Sequence, residues 1–278
     1  MQKALHLETF CMAQKGVGKI LCASIPQLKT ASYIHLNFKV INMKALRTAL
    51  LGLATAATLF AQAQTADEIV SKHVDAIGGA DAWHKVNTMK TEGTLTVQGN
   101  IPVTVVSTVL HTKGMRQDIT AMGMSGYQIL TPTAGWGYMP FQGQTKAEPL
   151  TEDQVKEGAD ELDAQGSLVD YKQKGHTVTL LGKDDIEGVE AYKLQIVQKS
   201  GKTETVFIDP KSYYIIRAVS KMKANGQEVE QTVNLANYKK LPEGIVVPMS
   251  ITLPIGELAI SKVTVNGPVD EAIFKPSN

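Results

Sequence analysis

The side chains best suited to chemistry in this 278-residue chain are two histidines and two groups of acids. His73 and His84 are eleven positions apart, with no His-Glu-x-x-His pattern and no cysteine nearby. That spacing matches no zinc site, so they read as surface or interface histidines. Asp184, Asp185 and Glu187 gather beside Gly188, where turn residues are expected anyway. Glu152, Asp153, Glu157, Asp160, Glu161 and Asp163 surround a thin apolar stripe of Val155, Ala159 and Leu162. They read as the solvated face of an amphipathic helix, and a marginal helix inserted between strands also has the form of a lid. Gly-x-Ser-x-Gly, the phosphate-binding loop and the dinucleotide glycine fingerprint are all missing. No local signature of an enzyme, a metal or a cofactor is present; a site assembled from distant residues stays open.

The N-terminus sets the compartment. Met43-Lys44-Ala45-Leu46-Arg47 is a short basic region, followed by an uncharged apolar run from Thr48 to Phe60 and then Ala61-Gln62-Ala63. This is the pattern of a cleaved secretory signal peptide, and the apolar run is too short to span a bilayer. The expected organisation is residues 1–42 as an over-extended start, 43–63 as the signal and 64–278 as one exported domain. Both cysteines, Cys11 and Cys22, precede the cleavage site, so the mature chain has no disulfide, thiol nucleophile or lipid-anchor cysteine. Seven of the 28 basic and one of the 27 acidic residues also precede it, leaving a mildly acidic product. That balance, with no basic run, argues against nucleic acid as a partner. The destination is the periplasm, or the exterior of a cell with a single membrane.

The rest must supply the scaffold. Thr65 followed by Glu68 is a capping-box spacing, Ile69, Val70, Val74 and Ile77 recur at helical period, and Gly78-Gly79 stops the helix. From Thr88 the period changes to two. Short alternating runs separated by Gly-Asn, Asn-Gly and Asp-Pro turns continue almost to the end, interrupted at Leu150–Gly166. Lys202–Arg217 typifies them. Val206 and Ile208 share a face of one arm, Asp209-Pro210 starts the turn, and Tyr214, Ile216 and Ala218 share a face of the other. Ile245 to Leu253 alternates as one strand, and Phe274 pins the chain end. The expectation is a mainly β domain with flanking helices. One antiparallel sheet of about eleven strands curls into an open half-barrel, because sheets of that size curl.

Several of these features together resemble the LolA/LolB-like superfamily of periplasmic carriers that move lipoproteins to the outer membrane. They are the helix ending in Ile77-Gly78-Gly79, Gly114-Met115-Arg116-Gln117 on an early strand, and Gly135-Trp136-Gly137-Tyr138. Phe207-Ile208-Asp209-Pro210 through Arg217, then Asn266 and Phe274, complete the set. The resemblance covers nearly all of 64–278. The Phe-Arg-Trp strand of the carrier itself is replaced here by Met115-Arg116-Gln117, as in a divergent member. It implies helices covering the concave face of the half-barrel and an apolar cavity for acyl chains.

The ligand-binding candidates are Arg116, Trp136 and Tyr138 from the motifs of that resemblance, and Met115, Met122, Met124 and Met139, which cluster on the early strands. Methionine is pliable enough to line a lipid cavity and equally serves as a core gap-filler. Arg116 either pairs with Asp118 or, by the resemblance, bonds helix carbonyls across the mouth and holds the cavity shut. The implied function is a monomeric, non-enzymatic carrier of lipoprotein acyl chains or another amphiphile, without cofactor or metal. The alternatives are a lipid sensor or interaction module reporting to an envelope membrane protein, and an enzyme with a polar cavity.

Overall fold

The computed structural model describes residues 64–97, 99–224 and 227–277, except for the side chains of 222–224, 227 and 228. The signal pattern, the Met43 start, both cysteines and the Asn225-Gly226 turn lie outside the described residues.

Thr65 opens helix α1 (Ala66–Ala76): its hydroxyl accepts from the Glu68 N–H at 3.2 Å, and the Glu68 carboxylate accepts from the Thr65 N–H at 3.0 Å. Two otherwise unsatisfied amides are thereby closed. The helix stops at Gly78 and Gly79, whose φ angles of +115° and +85° suit glycine. A Cβ on Gly78 would sit 2.4 Å from the carbonyl oxygen of Gly244, so the site is closed to side chains twice over. The one-turn helix α2 (Ala80–Trp83) follows, and the Trp83 indole donates to the Ile77 carbonyl at 3.0 Å.

The strands then run β1 (Thr88–Val97), β2 (Ile101–Leu110), β3 (Gly114–Ala121), β4 (Met124–Leu130), β5 (Gly135–Tyr138) and β6 (Glu148–Pro149). Helix α3 (Glu152–Gly158) and a 3-10 turn (Ala159–Leu162) interrupt the series. It resumes with β7 (Thr177–Ile186), β8 (Val189–Val197), β9 (Thr203–Ile208), β10 (Ile215–Ala224) and β11 (Gln227–Ala236). The last are β12 (Lys239–Lys240), β13 (Val246–Val247), β14 (Ser250–Leu253) and β15 (Gly256–Val265), before a 3-10 turn at Glu271–Phe274.

Thirteen strands form one sheet in the order β6-β5-β4-β3-β2-β1-β15-β14-β11-β10-β9-β8-β7, and β12 and β13 form a separate ribbon. Every pairing is antiparallel, and the end strands β6 and β7 do not pair with each other. The sheet is therefore the expected open one. It exceeds the expected strand number partly because β6 is a two-residue strand that carries no alternation.

Register fixes which residues share a face. Val105 pairs with Gly93 and Ile119, Leu258 with Leu95 and Ile251, and Leu235 with Ile251. Ala218 pairs with Val233 and Val206, and Leu194 with Val206 and Leu180. All lie on the concave face. Helix α1 packs there on β8–β11 through Ile69 and Val70 against Leu194, Ile196, Val206 and Ile208. Helix α3 packs on the same face through Val155, against Met115 and Leu130. The convex face carries two smaller clusters, one around Tyr127, Ile129 and Phe274, the other around Ala191 and Phe207.

Two details depart from the alternation read in the sequence. Ile215 pairs with Ile208 but Arg217 with Phe207, so Ile216 is an extra, bulged residue. The bulge puts Ile215 with Ala218 on the concave side and sends Ile216 to the convex cluster, instead of Tyr214, Ile216 and Ala218 sharing a face. The run Ile245–Leu253 is also two pieces. Pro248 has no N–H to give a ladder, and the chain breaks there between β13 and β14. Ile245, Val246 and Val247 are then consecutively buried against Trp83, Val86 and Val265, where a continuous strand would expose every second one.

Candidate functional site: the concave trough

Between the two helix-covered ends, the concave face stays uncovered by any described helix. Leu95, Val103, Val105 and Ala121 are buried there, and Val97, Ile119, Leu253 and Leu258 are half-buried around them. All are strand residues, and among the described residues the one other contributor is Phe141 from the 3-10 turn Pro140–Gln142. A half-exposed aliphatic floor results.

Beside that floor runs a polar row. Thr91 pairs with Ser107, Ser107 with Gln117, and Gln117 with Gln128, so four neighbouring strands each place a polar residue inward at one level. The row separates the aliphatic floor from the cluster under α3, at about 7 Å along the strands from each, two residues' rise.

The row leads from Gln128 into a cavity of about 590 Å³. One wall is α3 and its 3-10 extension, with Asp153, Lys156, Glu157 and Glu161; the other is Lys202, Ser220, Lys221 and Gln231 from β9–β11 and the β8–β9 turn. Leu130 and Leu150 give it an aliphatic side. Its volume falls in the range of small-molecule sites, roughly 300–1,000 Å³. Ser200 ties the two walls together, donating to the Asp160 carboxylate at 2.6 Å.

Two carboxyls feel this enclosure. Burial pushes Glu204, which faces Ser220 on the concave side, above the usual carboxylate range, with Lys202 opposing and Asp160 reinforcing the shift. Glu161 is raised for the same causes. Its side chain is nonetheless exposed to water inside the open cavity, so solvent screens it more than Glu204.

The segment beyond the 3-10 turn is pinned from several sides. Lys174 donates to Asp163 at 2.5 Å and to the Gly166 carbonyl at 2.8 Å, the Thr112 N–H donates to the Leu162 carbonyl at 2.8 Å, and His84 meets Asp170. Tyr171 and Lys172 both bond Asp67 on α1. No group of three or more metal-binding side chains comes together among the described residues.

The candidates read from the sequence do not converge on one place. Met115 is buried on the concave face with Leu130, Val155 and Leu162. Met122 and Met124 sit at the β3–β4 turn, 72% and 41% exposed. Trp136 and Tyr138 pack on the convex face with Tyr127, Ile129 and Phe274. Met139 is half-buried, its N–H donating to Gln144 at 2.6 Å. Arg116 is also convex. Its Nε donates to Asp118 at 2.8 Å, its Nη1 to the Ile273 carbonyl at 3.0 Å, and its guanidinium lies 4.5 Å from the Tyr127 ring centre. It thus makes the ion pair with Asp118 read from the sequence, and its carbonyl bond is not one to a helix across the mouth. The carbonyl belongs to the C-terminal 3-10 turn on the face away from the trough.

Sequence reasoning missed Gln128, Lys202, Glu204 and Gln231, and assigned Asp153, Glu157 and Glu161 to an ordinary solvated face. The available signal was polarity at inward positions. Gln117, Gln128 and Gln231 fall in phase with aliphatic neighbours on their strands, where water-facing residues should not be.

No protein-family model matches the chain, and no curated protein matches it. Solved structures do. A DUF1329 family protein from Desulfovibrio piger is 12% identical, with a TM-score of 0.48 over 77% of this chain and 98% of its own. A LolA superfamily protein from Nitrosomonas europaea is 15% identical, with a TM-score of 0.47 and the same coverage. A Vibrio parahaemolyticus domain provisionally described as outer membrane lipoprotein-sorting is 14% identical, with a TM-score of 0.44 over 74% of this chain and 94% of its own. LolA-like proteins, the group that the sequence motifs resemble, are thus among the structures to which this chain is similar. The likeness is one of fold, and the roles named for those proteins are theirs.

Proposed function

We propose that this protein is a non-catalytic carrier of an amphiphile, exported to the periplasm and loaded in the concave trough. The carrying observation is the aliphatic floor of Val97, Ile119, Leu253 and Leu258, left half-exposed beside the inward polar row. A folded chain gains by covering such a surface, and each methylene of cargo laid on it contributes about 0.8 kcal/mol. The apolar part of the cargo lies on the floor. Its polar part reaches Gln117 and Gln128 and the charged cavity beyond. Lipoprotein acyl chains fit that division, as do other lipids with a compact polar end. A wholly apolar ligand does not, because it would strand the inward glutamines.

The test is mass spectrometry of organic extracts from residues 64–278 purified from periplasm without detergent, paired with titration of an apolar fluorescent probe. The expected result is a copurified amphiphile and probe binding that Ile119→Lys with Leu258→Lys abolishes while the circular dichroism stays native. Protein that is empty and also binds no probe would overturn the carrier reading.

A further inference from the structure

Seven large apolar side chains are conspicuously exposed among the described residues, and four of them share one rim of the sheet: Ile101, Met122, Met124 and Ile255. Register places them together. Val97 pairs with both Ile101 and Gly256, so the β1–β2 and β14–β15 turns are adjacent. Thr104 pairs with Thr120 one step before the Ala121–Met124 closure, so the β3–β4 turn emerges at the same end. The three hairpin tips border the aliphatic floor of the trough, whose outermost residues are Val97, Ala121 and Leu253.

The rim is also free of charge. Residues 93–110, 119–145 and 244–256 contain no Asp, Glu, Lys, Arg or His. Glu257 ends the last of these runs, and its carboxylate accepts from the Ser250 hydroxyl at 2.6 Å. The patch ends at β11, where Glu230 adjoins the exposed Val229.

Met122 is the most telling residue. It stands 72% exposed at φ +51°, followed by Gly123 at +78°, the backbone of a two-residue turn in which asparagine or glycine is at ease. The β7–β8 turn has the same backbone at Glu187 and Gly188, at +55° and +86°, and puts a charged residue in that place. At Met122 both the turn geometry and water disfavour the residue present.

We propose that these hairpin tips dock on a lipid bilayer, entering the interface of uncharged or zwitterionic lipid at the end of the trough. Apolar side chains at the tips of rigid hairpins partition into the headgroup–acyl boundary, and a rim without charges avoids the cost that a charge would meet there. A basic rim would instead choose anionic lipid. This contact rests on the carrier reading only for its purpose, namely giving cargo a path between membrane and trough.

The experiment is co-sedimentation of residues 64–278 with phosphatidylcholine vesicles at low and high salt. Binding is expected to be independent of salt. Met122→Asn with Ile255→Ser should lower the partition coefficient by at least about tenfold, from the apolar burial lost. Met122→Asn suits the turn and should hold or raise the melting temperature, so lost binding cannot be put down to unfolding. Ile255→Ser alone, titrated with the apolar probe, should match the wild type. Undiminished vesicle binding in the double variant, or binding only to anionic vesicles at low salt, would overturn the proposal. So would a dimer in solution that the same substitutions dissolve. Lost probe binding with vesicle binding intact would instead strike the carrier reading and leave the rim standing.

Discussion

Arg116 and Ile273, 157 positions apart in sequence, are joined directly: Nη1 of the arginine donates to the isoleucine carbonyl at 3.0 Å. The same guanidinium bonds Asp118 and covers the Tyr127 ring, whose hydroxyl donates to the Ser277 carbonyl at 2.7 Å. Arginine has five fixed donors, enough to serve a carboxylate and a carbonyl at once. The C-terminal turn is thereby fastened to an early strand, and Phe274 seats on Gly114, where a Cβ would come within 2.7 Å of the ring.

Arg116→Gln should therefore act as a stability change. Loss of charge-assisted bonds to a half-buried group costs about 1.5–3 kcal/mol. Chemical denaturation measures the loss, and limited proteolysis should show earlier cutting near residue 270. Probe affinity in the trough should stay unchanged. Weaker or stronger probe binding would restore the gate role to this residue.

Gly78→Ala meets two obstacles, a φ of +115° and the Gly244 carbonyl. The chain here also supplies the bond from the Val246 N–H to the Ile77 carbonyl at 2.8 Å, which ties α1 to the β12–β13 ribbon. A destabilisation of about 2 kcal/mol or more is expected, from overpacking combined with an unsuitable backbone. Gly79→Ala has open space around it and should cost less. Equal losses at the two positions, read from thermal melts, would contradict the close approach.

His73 is buried, and burial lowers its pKa although the Tyr213 carbonyl, 2.8 Å from Nδ1, partly opposes the shift. Its folded value lies below the unfolded value of about 6.5. Its stabilising contribution is therefore complete above about pH 6.5 and is lost as the pH falls through the folded pKa. Glu204 has the opposite sign. Its raised pKa stabilises the fold below the unfolded value of about 4.3, and that gain is lost as the pH rises through the folded pKa. In melts taken across the acidic range, His73→Gln should flatten the decline below pH 6.5, and Glu204→Gln should raise stability most at neutral pH. A parallel shift of the whole curve in either variant would refute the assignment.

Much of the scaffold was legible because it is local. Thr65 and Glu68 cap each other three residues apart, Thr151 and Gln154 repeat the device on α3, and the Asp209-Pro210 turn closes with Ser212 bonding the Asp209 carboxylate at 2.6 Å. Period-two alternation located the long strands for the same reason. What escaped depends on partners far along the chain. The bulge at Ile216 appears only when β9 is laid beside β10, and the isolation of β13 reflects its packing on Trp83. The trough was harder still. Acids of α3 and its 3-10 extension look like any solvated face until the β8–β9 turn is brought opposite them, and Arg116 changes meaning once the chain end crosses the convex face.

The failure of β6 and β7 to meet has a mechanical consequence. A closed barrel resists any change of bore, because widening it means tearing a ladder of backbone bonds. Here no backbone ladder among the described residues joins the two margins of the sheet, the two-residue β6 and the ten-residue β7, and side-chain bonds such as Ser200 to Asp160 reach across instead. Small increments of twist shared over thirteen strands can spread or narrow the basin while every inter-strand bond survives. Width is then a compliant property of the scaffold, free to change within one and the same hydrogen-bonded frame.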